Sequence, residues 1–102
     1  MKYVVICTPY KVRSSNSWTK IKGLSRAVET VVKEDNAVLI PQLMYFGFER
    51  YGDEFARKCR RAMVKISDKV KVYTKRRNKE MMEIIEAANE LGKPIIYYPD
   101  FK

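Results

Sequence analysis

A chain of 102 residues, 46% hydrophobic and 32% charged, has the length of one domain (residues 1–102) and a composition that can bury a modest core. No apolar run approaches the ~20 residues of a membrane-spanning helix, and the opening MKYVVICTPY lacks the pattern of a cleaved signal, so a cytoplasmic location is expected. With no His and two Cys, neither the familiar zinc spacings nor a Ser-His or Cys-His nucleophile pair can be assembled, which removes most hydrolase chemistry and implies no metal or cofactor.

The net charge of +9 is unevenly placed. Between Arg57 and Lys79 stand eleven Lys or Arg and one acid, Asp68, a net of +10, so the other 79 residues sum to −1. Such a region attracts anions, whether nucleotide phosphate, nucleic acid or an acidic protein face.

In chain order, the first apolar run is Tyr3 to Thr8, a predicted strand. It empties into TPYKVRSSNSW, rich in hydroxyls, amides and cations, where Ser15, Asn16 and Ser17 are suitable helix caps. Ile21, Leu24, Val28, Val31 and Val32 then repeat at helical spacing from Trp18 to Glu34. A second strand is predicted over Ala37 to Pro41. The following QLMYFGFERYG holds Tyr45, Phe46, Phe48 and Tyr51 within seven residues, too aromatic for a solvated loop and suited to closing the core, an interface or a planar ligand.

Asp53 is the expected cap of a second helix. On a helical wheel Phe55, Cys59, Ala62, Met63 and Ile66 form its apolar stripe, with Arg57, Lys58, Arg60, Arg61 and Lys65 opposite. A third strand runs from Val70 to Thr74, where Lys69, Val70, Lys71, Val72 and Tyr73 alternate, unusual for a strand buried on both faces. The third helix carries Met81, Ile84, Ile85, Ala88 and Leu91 inward, with Asn78 as cap, Glu80 in the first turn, and Gly92 with Pro94 as the stop. Glu83, Glu86 and Glu90 fall on its solvent side. Pro94 to Tyr98 is the last strand, and Cys7 and Cys59 are expected as reduced core residues.

The order βαβαβαβ argues for a flavodoxin-like or Rossmann-like parallel sheet, order 2-1-3-4, flanked by three helices. In that topology the crevice beyond the carboxyl ends of the first and third strands takes the ligand. Thr8, Pro9, Tyr10 and Asn16 would reach it from the first loop, Tyr45 and Phe46 as stacking rings, and Arg76, Arg77 and Asn78 as anion ligands, with Lys65, Lys69 and Lys71 adding charge. The first loop contains no Gly and matches no phosphate-cradle motif.

VVICTPY, AVLIPQLMYF, ISDKVKVYT and EMMEIIEAANELGKPIIYY together resemble the nucleoside 2-deoxyribosyltransferase-like domains, a small flavodoxin-like family of phage and bacterial genomes. The resemblance implies a nucleotide site, homo-oligomers that complete their sites across the contact, and a Glu near the start of the last helix that attacks the sugar. Matching the GKP ends without gaps, however, puts the nucleophile position on Ile84, the Gly of the preceding loop on Glu80, and the Asp that ends the third strand on Lys75. Glu86 coincides with a Glu of the broader family that is not the nucleophile.

The expectation is therefore a non-catalytic domain that binds a nucleotide or another phosphorylated ligand, fitting a phage regulatory or anti-defence protein. Two alternatives stand beside it. One is an active glycosyl hydrolase or transferase using Glu83 or Glu80. The other is a nucleic-acid or acidic-protein binder acting through Arg57, Lys58, Arg60, Arg61 and Lys65.

Overall fold

A computed structural model describes residues 1–8, 18–41, 51–73 and 79–99, without the side chains of 18–24. The elements are β1 (Tyr3–Cys7), α1 (Trp18–Lys33), β2 (Ala37–Leu39), α2 (Asp53–Ile66), β3 (Lys69–Tyr73), α3 (Lys79–Glu90) and β4 (Ile95–Tyr98). The four strands form one parallel sheet in the order β2-β1-β3-β4, the α/β topology expected from the alternation of elements. Val5 of β1 lies between Leu39 of β2 and Val70 of β3, and Cys7 is level with Val72.

Period-two alternation sends side chains of each strand to opposite faces. Val5, Cys7, Val70 and Val72 pack under α2 and α3, against Val64, Met81, Ile84, Ile85 and Ala88. Val4 and Ile6 pack under α1, against Ala27 and Val31, with Tyr73 joining them. Burying side chains of this kind stabilises a fold by about 1.5–3 kcal/mol each.

The helix ends show why the elements stop where they do. Gly92 has φ 68, and the amides of Gly92 and Lys93 donate to the carbonyls of Asn89 and Ala88 at 3.3 and 2.8 Å, closing α3 as the glycine stop predicts. Helix α1 ends the same way at Asp35, φ 59, with Asp35 and Asn36 donating to Val32 and Val31. A non-glycine residue holds the left-handed position there.

Three expectations about helices are corrected. Asp53 is the first helical residue of α2 rather than its cap, which is Gly52 with no side-chain cap bond; the carboxylate still favours the positive helix end. Val32 of the predicted α1 stripe is exposed while Ala27 is buried. In α2 the buried residues are Ala56, Arg60 and Val64, spaced by one helical turn, and Phe55, Ala62 and Ile66 are exposed. Cys7 is buried and Cys59 only half-buried, both as free thiols. Asn78, Ile21 and Leu24 fall outside the described residues or side chains.

The alternation in β3 has a specific resolution. Lys71 is only 2% exposed on the face beneath α1, where its ammonium donates to both carboxylate oxygens of Glu34 at 3.1 and 2.9 Å. The ammonium also lies 5.7 Å from the centre of the Tyr98 ring. Tyr98 in turn stacks on Tyr73 at 4.9 Å, and the Tyr73 hydroxyl shares a 2.7 Å hydrogen bond with Thr30 of α1. Lys71 is therefore a partnered interior residue and not one of the free cations expected for phosphate binding. Burial pulls the Lys71 ammonium down, yet the hydrogen bond to Glu34, with the charges of Tyr73, Tyr98 and Glu34, leaves it raised above its ordinary value. Glu34 is held below the usual carboxylate range by the hydrogen bond and charge of Lys71, and burial raises the Tyr73 phenol.

A carboxyl depressed in the folded state contributes stability that is present above its unfolded pKa and lost as pH falls through the folded one. Acid titration should therefore lower the melting temperature from about pH 5 downward, and Glu34→Gln should lower it at neutral pH and remove that part of the acid dependence. The raised Lys71 contributes stability present below its unfolded pKa and lost only at strongly alkaline pH. Thermal melts of both proteins across pH 3–8 test this; a Glu34→Gln protein as stable as its parent at pH 7 refutes it.

Candidate functional site

Two neighbouring strands whose chains depart to opposite faces leave a gap beyond their carboxyl ends, and β1 and β3 are such a pair. Thr8, the residue after β1, is buried to 2% exposure. The first turn of α3 lies against the same strand end, since the Cys7 thiol donates to the Met81 carbonyl at 3.8 Å. Glu80 in that turn is 4% exposed. Thr8 and Glu80 are thus two buried polar side chains, one directly after β1 and one in the first turn of α3, and both have interaction partners. The other predicted ligand residues, Pro9, Tyr10, Asn16, Tyr45, Phe46, Arg76, Arg77 and Asn78, lie outside the described residues.

Glu83 belongs to a different place. Its carboxylate faces α2, where Arg60 donates to it through Nε at 3.2 Å and through Nη2 at 3.1 and 2.8 Å. Arg57 adds an ion pair at 3.3 Å, and one turn further along, Arg61 donates to Glu90 at 2.7 Å. Between the two helices lies a groove of about 390 Å3 floored by Val64, Ile84 and Ala87. Of the three glutamates expected on a solvent face, Glu86 and Glu90 are exposed and Glu83 is half-buried between the helices; Glu83 and Glu90 both pair with arginines of α2.

This arrangement changes what the arginines can do. Arg60 is 3% exposed, and a forked guanidinium bonded to a carboxylate offers little further charge to an outside anion. Arg57, Arg60 and Arg61 are occupied by Glu83 and Glu90, and Lys58 by Glu54 at 3.7 Å. Among the five residues proposed as a basic face, Lys65 is the one without an ion pair among the described residues. The pairing was not legible from a helical wheel because the wheel of α2 does not contain α3. The spacing Ala56, Arg60, Val64 was its available signal: a cation one turn from two small apolar residues that face inward.

Among the described residues no group of His, Cys, Asp and Glu is arranged to hold a metal ion, and no helix is long and apolar enough to cross a membrane.

A parallel α/β sheet with its topological switch point between β1 and β3 defines the class, and sequence comparison supplies the family. The model described as Domain of unknown function (DUF7768) matches residues 2–98, nearly the whole of the 102-residue chain, and the protein belongs to that family. No curated protein matches the sequence.

The cross-helix pair yields a direct test. Removing one partner of a buried ion pair leaves the other charge uncompensated. Glu83→Ala should therefore destabilise the fold by about 3 kcal/mol in urea denaturation, and Arg60→Met with Glu83→Leu together should recover most of that loss. A Glu83→Ala protein of unchanged stability would remove the structural role assigned here.

Proposed function

We propose that the protein binds a phosphorylated nucleotide-type ligand in the crevice beyond the carboxyl ends of β1 and β3, without converting it. One observation carries this reading: β1 and β3 are adjacent while β2 and β4 occupy the edges, so the chain segments that follow Thr8 and Tyr73 leave from neighbouring strand ends. The first of those segments contains Pro9, Tyr10 and Asn16; the second contains Arg76, Arg77 and Asn78. Guanidinium groups pair with phosphate oxygens through two parallel hydrogen bonds, which suits a charged ligand better than a neutral nucleoside.

The likeness to nucleoside 2-deoxyribosyltransferase-like domains supports the same location. It also supports the absence of turnover, because the nucleophile position aligns with Ile84, which is buried in the core and has no nucleophilic atom. Glu83 is engaged by two arginines in the α2–α3 groove, which argues against its serving as a replacement.

Thermal-shift measurements with nucleoside mono-, di- and cyclic phosphates test the proposal. A ligand at a hundred times its Kd should stabilise by about 2.7 kcal/mol, a shift of several degrees for a domain of this size. Arg76→Ala and Thr8→Val should each reduce the shift. No stabilisation by any of these ligands, with Arg76→Ala silent, removes the reading.

One observation favours a second reading. Glu80 places a buried carboxyl in the first turn of α3 beside the end of β1, where a general acid or a nucleophile for glycosyl transfer could act. If that reading holds, incubation with deoxynucleosides and a free base gives exchanged nucleosides, and Glu80→Gln abolishes the exchange while the melting temperature stays within a few degrees. Absence of exchange by the parent protein dismisses it.

A further inference from the structure

The face that α2 buries is not the face that its sequence makes apolar. Ala56, Arg60 and Val64 point inward, whereas Phe55, Cys59, Ala62 and Ile66 form a stripe centred roughly 120° away around the helix. Much of the stripe is solvent-exposed: Phe55 is 46% and Ile66 59% exposed, Ala62 is exposed and Cys59 half-buried. The ion pairs of Arg57, Arg60 and Arg61 with Glu83 and Glu90 give this orientation its cause, because the arginine side of the helix must face α3. Tyr51 extends the stripe at its start, its ring 5.9 Å from that of Phe55.

The spacing of the stripe is informative. Phe55, Cys59, Ala62 and Ile66 are separated by four, three and four residues, the repeat that allows one helix to lie along another as a continuous seam. Small side chains at its centre let a partner backbone approach. The charge beside it is equally particular. Lys58 and Lys65 border one side; Lys58 has only an exposed ion pair at 3.7 Å with Glu54, and Lys65 has none among the described residues.

We propose that this face of α2 is a docking surface for an amphipathic helix of another protein whose apolar seam is flanked by Asp or Glu. Helix recognition of this kind uses anchors at i, i+4, i+7 and i+11 for affinity and the flanking charges for partner choice. A second copy fits less well. Two α2 helices packed antiparallel about a two-fold axis bring Lys58 and Lys65 of both copies to the same side of the contact, and each copy carries a net charge of +9. This surface is separate from the crevice and does not depend on the ligand reading.

The test uses the whole chain and two designed helical peptides with Leu at the seam positions, identical except that one carries Glu and the other Lys on the flanks. The Glu peptide should bind with a Kd on the order of 10 µM, at least about tenfold tighter than the Lys peptide. Its affinity should fall as salt is raised through the range that screens exposed charges. Bound peptide should slow alkylation of Cys59 by about fivefold or more, with buried Cys7 silent. Ile66→Glu should abolish binding without altering the melting temperature, and Lys58→Glu with Lys65→Glu should reverse the preference between peptides.

Three results overturn the proposal. Concentration-dependent dimers in sedimentation velocity that Ile66→Glu dissolves assign the surface to a second copy. Equal binding of both peptides reduces it to a sticky apolar patch. No binding of either peptide by a monomeric protein shows that the stripe is closed to partners.

Discussion

A parallel sheet of four strands must be covered on both faces, and among the described residues three helices take part in doing it. Two of them, α2 and α3, lie on one face and α1 lies on the other. On the α1 face, side chains of the sheet itself add to the covering. Tyr98 stacks on Tyr73, the Tyr73 hydroxyl is tied to Thr30, and Lys71 extends beneath them to Glu34 at the end of α1. A lysine inside a sheet would ordinarily be destabilising; here its stem is apolar cover and its ammonium reaches a carboxylate at the rim, so the same residue shields backbone and keeps its charge satisfied.

The two-helix face is closed by a different device. Helices α2 and α3 meet through a guanidinium held by one carboxylate, Arg60 on Glu83, at the middle of their contact. A buried pair of this kind contributes less net stability than a well-packed apolar contact and more to the choice of orientation. That choice decides the rest of the molecule. With Arg60 directed at α3, the helix must present Phe55, Ala62 and Ile66 elsewhere, and an amphipathic helix acquires an outward apolar side.

The order of strands and helices was legible because it rests on local periodicity. Val4 to Cys7, Val70 to Tyr73 and the Met81, Ile84, Ile85, Ala88 stripe alternate or repeat with the expected period, and the glycine stop at Gly92 closes α3 as read. The position of Thr8 directly after β1 was legible for the same reason. What could not be read was partnership between elements distant in the chain. Lys71 and Glu34 are 37 residues apart, and Arg60 and Glu83 are 23 apart. Periodicity describes each helix by itself, so a wheel assigns α2 its most apolar side as the inner one. It fails where a charged pair across the interface outweighs a stripe whose centre, Cys59 and Ala62, is made of small side chains with little area to bury.

Pairing in space also redistributes the charge that the linear sequence concentrates between Arg57 and Lys79. Arg57, Lys58, Arg60, Arg61 and Lys71 each have a carboxylate within 4.0 Å, supplied by acids on either side of the basic stretch. Among the described residues of that stretch, Lys65 on the outer side of α2, Lys69 at the start of β3 and Lys79 at the start of α3 have no such pair. A run of eleven cations that looks in sequence like one broad anion-binding face thus contains at least five residues committed to carboxylates. With Arg57, Arg60 and Arg61 paired to α3, the outer side of α2 offers less charge to an extended polyanion than the linear sequence suggests.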